Sequence, residues 1–140
     1  MSVRSLVGSR IDRSRLAVGL VVGDFLAVGS FVVAGEIRHG RDPLVFPGIV
    51  AETLLLFLLG WAVAALLGGL YTSDAVKNPR RVLSWTVPAW ILATVLVHGV
   101  MALVSFHGGT ALSFVAVTLG IGGILVVGWR LVLSMVIDLS

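Results

Sequence analysis

The chain contains no cysteine, and this absence excludes disulfide bonds, thiolate chemistry and cysteine-ligated metal sites. Charged residues are also scarce, since they make up 12% of the 140 residues whereas soluble domains have about 25%. No segment resembles a phosphate-binding loop, a nucleophile elbow or a metalloprotease helix. We therefore expect a protein without enzymatic activity and without a bound cofactor or metal.

Apolar residues, in contrast, are abundant. They account for 58% of the chain, the mean hydropathy is +1.09, and there are 17 glycines, which membrane helices use at close contacts. A soluble fold could not bury this much hydrocarbon. The composition predicts a single integral membrane domain over residues 1–140.

Four apolar stretches reach the ~20 residues that a helix needs to cross a bilayer core of ~30 Å. They cover approximately residues 16–35, 49–71, 83–106 and 111–137. The connections are short, so neighbouring helices should run antiparallel. The sequence predicts an all-α membrane protein with four transmembrane helices in an up-down bundle. A cleaved signal peptide is the alternative for the first stretch, but the stretch is long for one and contains Asp24.

The distribution of Lys and Arg predicts the orientation of the bundle. The membrane side that holds both termini carries eight of these residues, and the opposite membrane side carries two. Both termini should therefore be cytoplasmic in the cell membrane. The eight are Arg4, Arg10, Arg13, Arg15, Lys77, Arg80, Arg81 and Arg130, and the two are Arg38 and Arg41.

An internal repeat is suggested by sliding the chain over itself by 68 positions. The shift gives six identities in the 23 positions from His39 to Trp61, including His39-Gly40 on His107-Gly108 and Gly60-Trp61 on Gly128-Trp129. Each unit would contain two helices, and the two copies would share one orientation. The pattern predicts two tandem same-orientation helical hairpins.

Ionisable residues within membrane spans are costly and are candidates for function. Three qualify: Asp24, Arg130 and Glu52. Asp24 lies about 12 Å from the cytoplasmic start of its helix, and Arg130 approaches the same side along the antiparallel fourth helix. We expect the two to form an ion pair. The alternatives are that Asp24 is a proton or cation site, or that an unpaired Asp24 is protonated and has no function. Glu52 lies near the start of the second helix, where the helix dipole favours an acid.

Two His-Gly pairs, His39-Gly40 and His107-Gly108, fall at the outer ends of the first and third helices. Histidine can bind terminal carbonyls there, and glycine can adopt the left-handed conformation, so both pairs are predicted to be helix caps. The alternatives are a metal held with Glu52 or a haem held by His39 and His107. His98 lies inside the third helix and is expected to bind a neighbouring helix.

Small residues recur every four positions on two helices and predict close helix packing. Pro79 with Arg80 and Arg81 is interpreted as a stop before the third helix, and Pro88 as lying near the start of that helix, where proline costs least. The small-residue stripes consist of Gly19, Gly23 and Ala27 on the first helix and Gly60, Ala64 and Gly68 on the second.

These segments resemble a prokaryotic membrane family described as domain of unknown function 3054. The likeness rests on Gly23-Asp24, G-E-I-R-H-G from Gly35 to Gly40, T-L-L-L-F-L-L-G-W from Thr53 to Trp61, and G-W-R from Gly128 to Arg130. It covers about residues 16–133 and looks most like haloarchaeal members. The family often has proline where this chain has Leu56, which argues against a kink there. The resemblance implies a small multi-pass membrane protein and no particular reaction.

The leading hypothesis is an accessory or structural membrane protein. Its partners would be the lipid bilayer and either further copies of itself or a larger membrane complex, with no nucleic acid. The alternative is a small proton-coupled transporter that uses Asp24 as its intramembrane acid. Haem or metal binding at the outer rim is the third hypothesis.

Overall fold

A computed structural model describes residues 15–104 and 112–139 of the chain. The described helices are α1 (Arg15–Arg38), α2 (Pro47–Gly68), α3 (Pro79–Leu103), α4 (Leu112–Val117) and α5 (Gly123–Leu139). A 3-10 turn (Ser73–Val76) lies between α2 and α3, and a π-helical turn (Thr118–Gly122) joins α4 to α5. Because α4, the π turn and α5 follow one another without a break, they form the fourth span.

The four spans pack as a ring in chain order, in which each span contacts its two neighbours and the fourth span returns to the first. All four are long and apolar enough to cross a membrane. This arrangement confirms the predicted all-α bundle of four membrane helices. The second interhelical connection and the C-terminal end of the fourth span therefore lie at the same end of the bundle.

Aromatic rings occupy the centre of the bundle. Phe31 of α1 packs edge-on against Phe57 of α2 at 5.8 Å and against Trp90 of α3 at 6.5 Å, measured between ring centroids. Trp61 of α2 lies 5.8 Å from Trp90. These contacts join three spans around one core.

The outer surface is as apolar as the core. Leu26 on α1, Leu67 on α2, Val95 on α3 and Ile124 on α5 are each more than three-fifths exposed. Exposed apolar area on this scale would favour aggregation in water, whereas in a bilayer it contacts lipid chains. The protein is therefore membrane-embedded.

The second helix ends earlier than the predicted position 71. Gly69 adopts the left-handed conformation with φ +69°, and the N–H groups of Gly69 and Leu70 donate to the carbonyls of Leu66 and Ala65. This is a Schellman motif, which stops a helix. Leu70 and Tyr71 consequently lie in the following connection, where both are buried against the end of the bundle.

The third helix begins four residues before the predicted position 83, and the interpretation of Pro79 as a stop is wrong. Asn78 is the N-cap, and its side-chain oxygen accepts a hydrogen bond from the Arg81 N–H at 2.8 Å. Pro79 then occupies the first helical position, where its fixed φ suits a helix. Because α3 begins at Pro79, Pro88 is an interior residue of the helix and does not lie near its start as expected.

Candidate functional site

Asp24 and Arg130 form a fully buried ion pair between α1 and the fourth span. The Arg130 Nε donates to Asp24 Oδ1 at 2.9 Å, and Nη2 donates to Oδ2 at 2.6 Å. Both side chains have 0% exposure. The two parallel bonds are the bidentate geometry that a guanidinium makes with a carboxylate. The structure thus brings together the two charges that were predicted to pair.

Two indole groups complete the environment of the carboxylate. Trp61 of α2 donates from Nε1 to Oδ2 at 3.0 Å, and Trp129 of α5 donates to Oδ1 at 2.8 Å. Each oxygen of Asp24 therefore accepts two hydrogen bonds, one from Arg130 and one from a tryptophan. These four bonds compensate much of the loss of hydration that a buried carboxylate suffers.

The connection after α2 holds the other side of Arg130. Nη1 of Arg130 donates to the Leu70 carbonyl at 3.0 Å, and the guanidinium carbon lies 5.7 Å from the Tyr71 ring and 5.9 Å from the Trp61 ring. The Schellman motif at Gly69 creates this contact because it turns the chain back over the bundle. Arg130, which belongs to the fourth span, is thereby held by the first span, the second span and one connection.

Tyr71 is the polar residue of this site that sequence reasoning missed. Its hydroxyl lies 3.1 Å from the Trp61 Nε1, and its side chain is 4% exposed. Burial raises the pKa of Tyr71 above its ordinary value, and the negative charge of Asp24 raises it further. The Gly68-Gly69 pair before it was the available signal, because adjacent glycines at the end of an apolar run are typical of a helix terminus.

A second set of buried hydrogen bonds joins α3 to the π turn. The Thr118 hydroxyl donates to the Phe114 carbonyl at 2.9 Å and lies 3.1 Å from the His98 Nε2, so Nε2 carries the hydrogen. The Trp90 Nε1 donates to the Thr118 carbonyl at 2.9 Å. The Nδ1 of His98 has no hydrogen-bond partner among the described residues. The expected contact of His98 with a neighbouring helix is present, and its partner is the irregular turn of the fourth span.

The opposite end of the bundle shows the cap predicted for His39 and Gly40. The His39 Nδ1 lies 2.7 Å from the Gly35 carbonyl, and Gly40 has φ +81°. The N–H groups of Gly40 and Arg41 donate to the carbonyls of Ile37 and Glu36, which is a second Schellman motif. The Arg41 side chain forms an ion pair with Glu36. His107 and Gly108, the other predicted cap, lie outside the described residues.

Glu52 is exposed and lies in the second turn of α2. Within residues 15–104 and 112–139, no three His, Asp or Glu side chains lie close enough to hold a metal ion. Because Glu52 is exposed, it is not part of the buried site around Asp24.

The small-residue stripes differ in what they contact. A β-carbon added at Gly23 would overlap the Trp129 indole, and one at Gly60 would lie 2.6 Å from Val97 Cγ2. At Gly19 such a carbon would have no atom within 4 Å, and at Gly68 it would make ordinary contacts with Leu70 and Ala89. Of the two alanines in the stripes, Ala64 is buried and Ala27 is half-buried. Gly23 thus provides the space in which Trp129 reaches Asp24.

The predicted repeat relates the two tryptophans that bind Asp24. Trp61 and Trp129 are 68 positions apart, and they donate to opposite oxygens of the same carboxylate. The glycines that precede them differ, because Gly60 packs against Val97 whereas Gly128 has no atom within 4 Å of an added β-carbon. The duplication itself stays a prediction.

Comparison with known proteins identifies the family of the chain. No curated protein and no solved structure matches the chain. The model of a family described as "Protein of unknown function (DUF3054)" matches residues 21–133, which include Asp24, Trp61, Tyr71, Trp129 and Arg130. The chain therefore belongs to the DUF3054 family, whose members have no assigned function.

Proposed function

We propose that this is a structural or accessory membrane protein without enzymatic activity, in which Asp24 and Arg130 lock the first span to the fourth. One observation carries the proposal: the Asp24 carboxylate accepts four N–H hydrogen bonds and has no exposed surface. A carboxylate in this state is held in place by the fold and has no vacant position for a substrate.

The same observation argues against the proton-coupled transporter. A coupling acid must exchange protons with water on each cycle, and it must therefore lose a partner and gain access to solvent. Releasing Asp24 would leave Arg130 as an uncompensated buried charge, which is strongly unfavourable. Metal binding at the outer rim has less support, since no three His, Asp or Glu side chains of residues 15–104 and 112–139 lie close enough to hold a metal ion. Haem binding would need His107, which lies outside the described residues.

The proposal includes an orientation with both termini in the cytoplasm of a cell membrane. Arg130 contributes less to this assignment than its position in the sequence suggested, because its charge is neutralised inside the bundle. Lys77 of the second connection, Arg80 and Arg81 in the first turn of α3, and the basic N-terminal tail support the orientation. The proposed partners are the bilayer and further copies of the chain or a larger membrane complex.

The lock is tested by a double-mutant cycle on Asp24→Asn and Arg130→Gln, measured as the free energy of unfolding in detergent micelles. Each single substitution leaves a buried group without its charged partner and should lower the stability by about 3–5 kcal/mol. The double variant should lose less than the sum of the two. Asp42→Asn is the matched control, because the Asp42 Oδ1 only accepts an exposed backbone bond from Leu44, which asparagine preserves.

Proton flux distinguishes the lock from the transporter. In vesicles that carry a pH gradient, the protein should not accelerate the decay of the gradient, and Asp24→Asn should behave as the unaltered protein does. A decay that the unaltered protein accelerates and Asp24→Asn abolishes, with the Asp42→Asn control still active, would overturn the proposal.

A further inference from the structure

An exposed cation lies at the end of the bundle that carries the second connection. Arg80, in the first turn of α3, is exposed and forms no ion pair with any described residue. Asp74, the one acid of that connection, pairs with the neighbouring Arg81, since its Oδ1 lies 3.8 Å from the Arg81 Nη1. The Arg81 guanidinium carbon also lies 5.1 Å from the centroid of the Trp85 ring. The positive charge of Arg80 is therefore available to an external anion.

A groove of about 640 Å³ runs between α3 and the fourth span, and its lining is almost wholly apolar. At Val87 the groove meets an open face of α3 that is lined by Arg80, Leu83, Ser84, Val87 and Pro88. The volume of the groove falls within the range of ligand-binding clefts.

The shape of the groove is fixed by the π turn and Trp90. A β-carbon added at Gly122 would lie 2.5 Å from the Trp90 ring, and one at Gly123 would lie 3.3 Å from it. Trp90 is held in place by its hydrogen bond to the Thr118 carbonyl. The ring packs against these glycines and forms part of a preformed lining, and Gly120 and Gly128 leave space beside it.

The open face of α3 and the groove together match one leaflet of a bilayer in length. Arg80, at the start of the open face, and Ile91, the last groove residue of α3, are eleven positions apart, which is about 16.5 Å along a helix. Half of a bilayer core is ~15 Å. A transmembrane helix from a second copy would run through both leaflets, whereas the acyl chain of a lipid needs only this length.

We propose that this groove binds one phospholipid with an anionic headgroup, in the leaflet that faces Arg80. The headgroup phosphate binds the Arg80 guanidinium, and an acyl chain lies along Val87, Ile91 and the glycines of the fourth span. The site is independent of the role of Asp24, which lies in the interior of the bundle. It gives the protein a preference for anionic lipid that a plain apolar surface would not have.

Native mass spectrometry of the full chain, titrated with phosphatidylglycerol or phosphatidylcholine, tests the site. One phosphatidylglycerol should be retained in preference to phosphatidylcholine. Arg80→Gln should weaken this retention about fivefold, as expected for one basic side chain beside an anionic headgroup. Gly120→Leu should abolish it by filling the groove, and it should still fold because no atom lies within 4 Å of an added β-carbon.

Two matched controls lie elsewhere on the bundle. Arg38→Gln removes an exposed arginine at the opposite end, and Gly19→Leu enlarges an exposed glycine of α1 that also has no near neighbour. Neither should change lipid retention. Equal retention of the two lipids, or an equal effect of controls and test variants, would overturn the proposal. So would dissociation of a dimer by Gly120→Leu with lipid retention unchanged, because the groove would then be an interface between copies.

Discussion

At the scale of single residues, the bundle places its buried ion pair where hydrogen-bond donors surround it. Asp24 would be costly in any apolar helix, and its burial is tolerable because Arg130, Trp61 and Trp129 all direct N–H groups at it. None of the three is near Asp24 in the sequence. The environment of this carboxylate is therefore a property of the assembled bundle.

Tyr71 gives a pH-dependent prediction at the same scale. Burial raises the pKa of Tyr71 in the folded protein, while the unfolded chain ionises near the ordinary value of 10.0. Above that pH the unfolded chain has lost the phenolic proton and the folded protein retains it. The contribution of Tyr71 to stability is therefore complete below pH 10 and falls as the pH rises further.

Ultraviolet titration can measure this directly, because Tyr71 is the single tyrosine of the chain. The tyrosinate absorbance should appear at the ordinary pH in denaturant and at a distinctly higher pH in the folded protein. Coincident titrations in the two states would show that Tyr71 is not buried as described.

At the scale of helices, glycine positions that look alike in the sequence have different roles. Gly19 and Gly23 are four residues apart on α1, yet an added β-carbon overlaps Trp129 at Gly23 and meets nothing at Gly19. The stripe was predicted as a uniform packing surface. The structure shows that its second member accommodates a side chain that binds Asp24.

Alanine substitutions at these two glycines should have opposite effects on the free energy of unfolding. Gly23→Ala should be destabilising by about 1–3 kcal/mol, because Trp129 must move from its position. Gly19→Ala should be neutral or stabilising by up to about 1 kcal/mol, because alanine favours a helix more than glycine does. Chemical denaturation in the same detergent measures both, and equal effects would contradict the packing of Trp129 on Gly23.

At the scale of the whole molecule, the bundle has an apolar core and an apolar outer surface. The second connection covers one end of the core. Leu70, Tyr71, Ala75 and Val76 of that connection are all buried. The first connection, at the other end, has the opposite character, since Leu44 is 91% exposed. The two ends of the bundle therefore differ in packing as well as in charge.

The proposed orientation can be checked by cysteine labelling, for which a chain without native cysteine has no background. Leu44→Cys should react in intact cells with a maleimide that cannot cross membranes. Lys77→Cys, in the second connection, should react only after the membrane is permeabilised. The reverse pattern would show that the termini face outward.

The sequence alone was sufficient for the features that follow from length, hydropathy and local hydrogen bonding. Four apolar runs separated by short connections require four antiparallel spans, because a bilayer leaves no other way to satisfy the backbone. The cap at His39 and Gly40 was predictable for a similar reason: it is made by residues within one turn of each other. The pairing of Asp24 with Arg130 followed from the cost of leaving either charge alone.

Only the tertiary structure determined which other groups meet that pair and where the groove forms. Tyr71 and the Leu70 carbonyl reach Arg130 because α2 stops at a left-handed Gly69, two residues before the apolar run itself ends at position 71. The Thr118 carbonyl in the π turn accepts a hydrogen bond from Trp90, which belongs to another span. Such contacts join residues distant in sequence through side-chain shape and hydrogen-bond direction, to which hydropathy and spacing are insensitive.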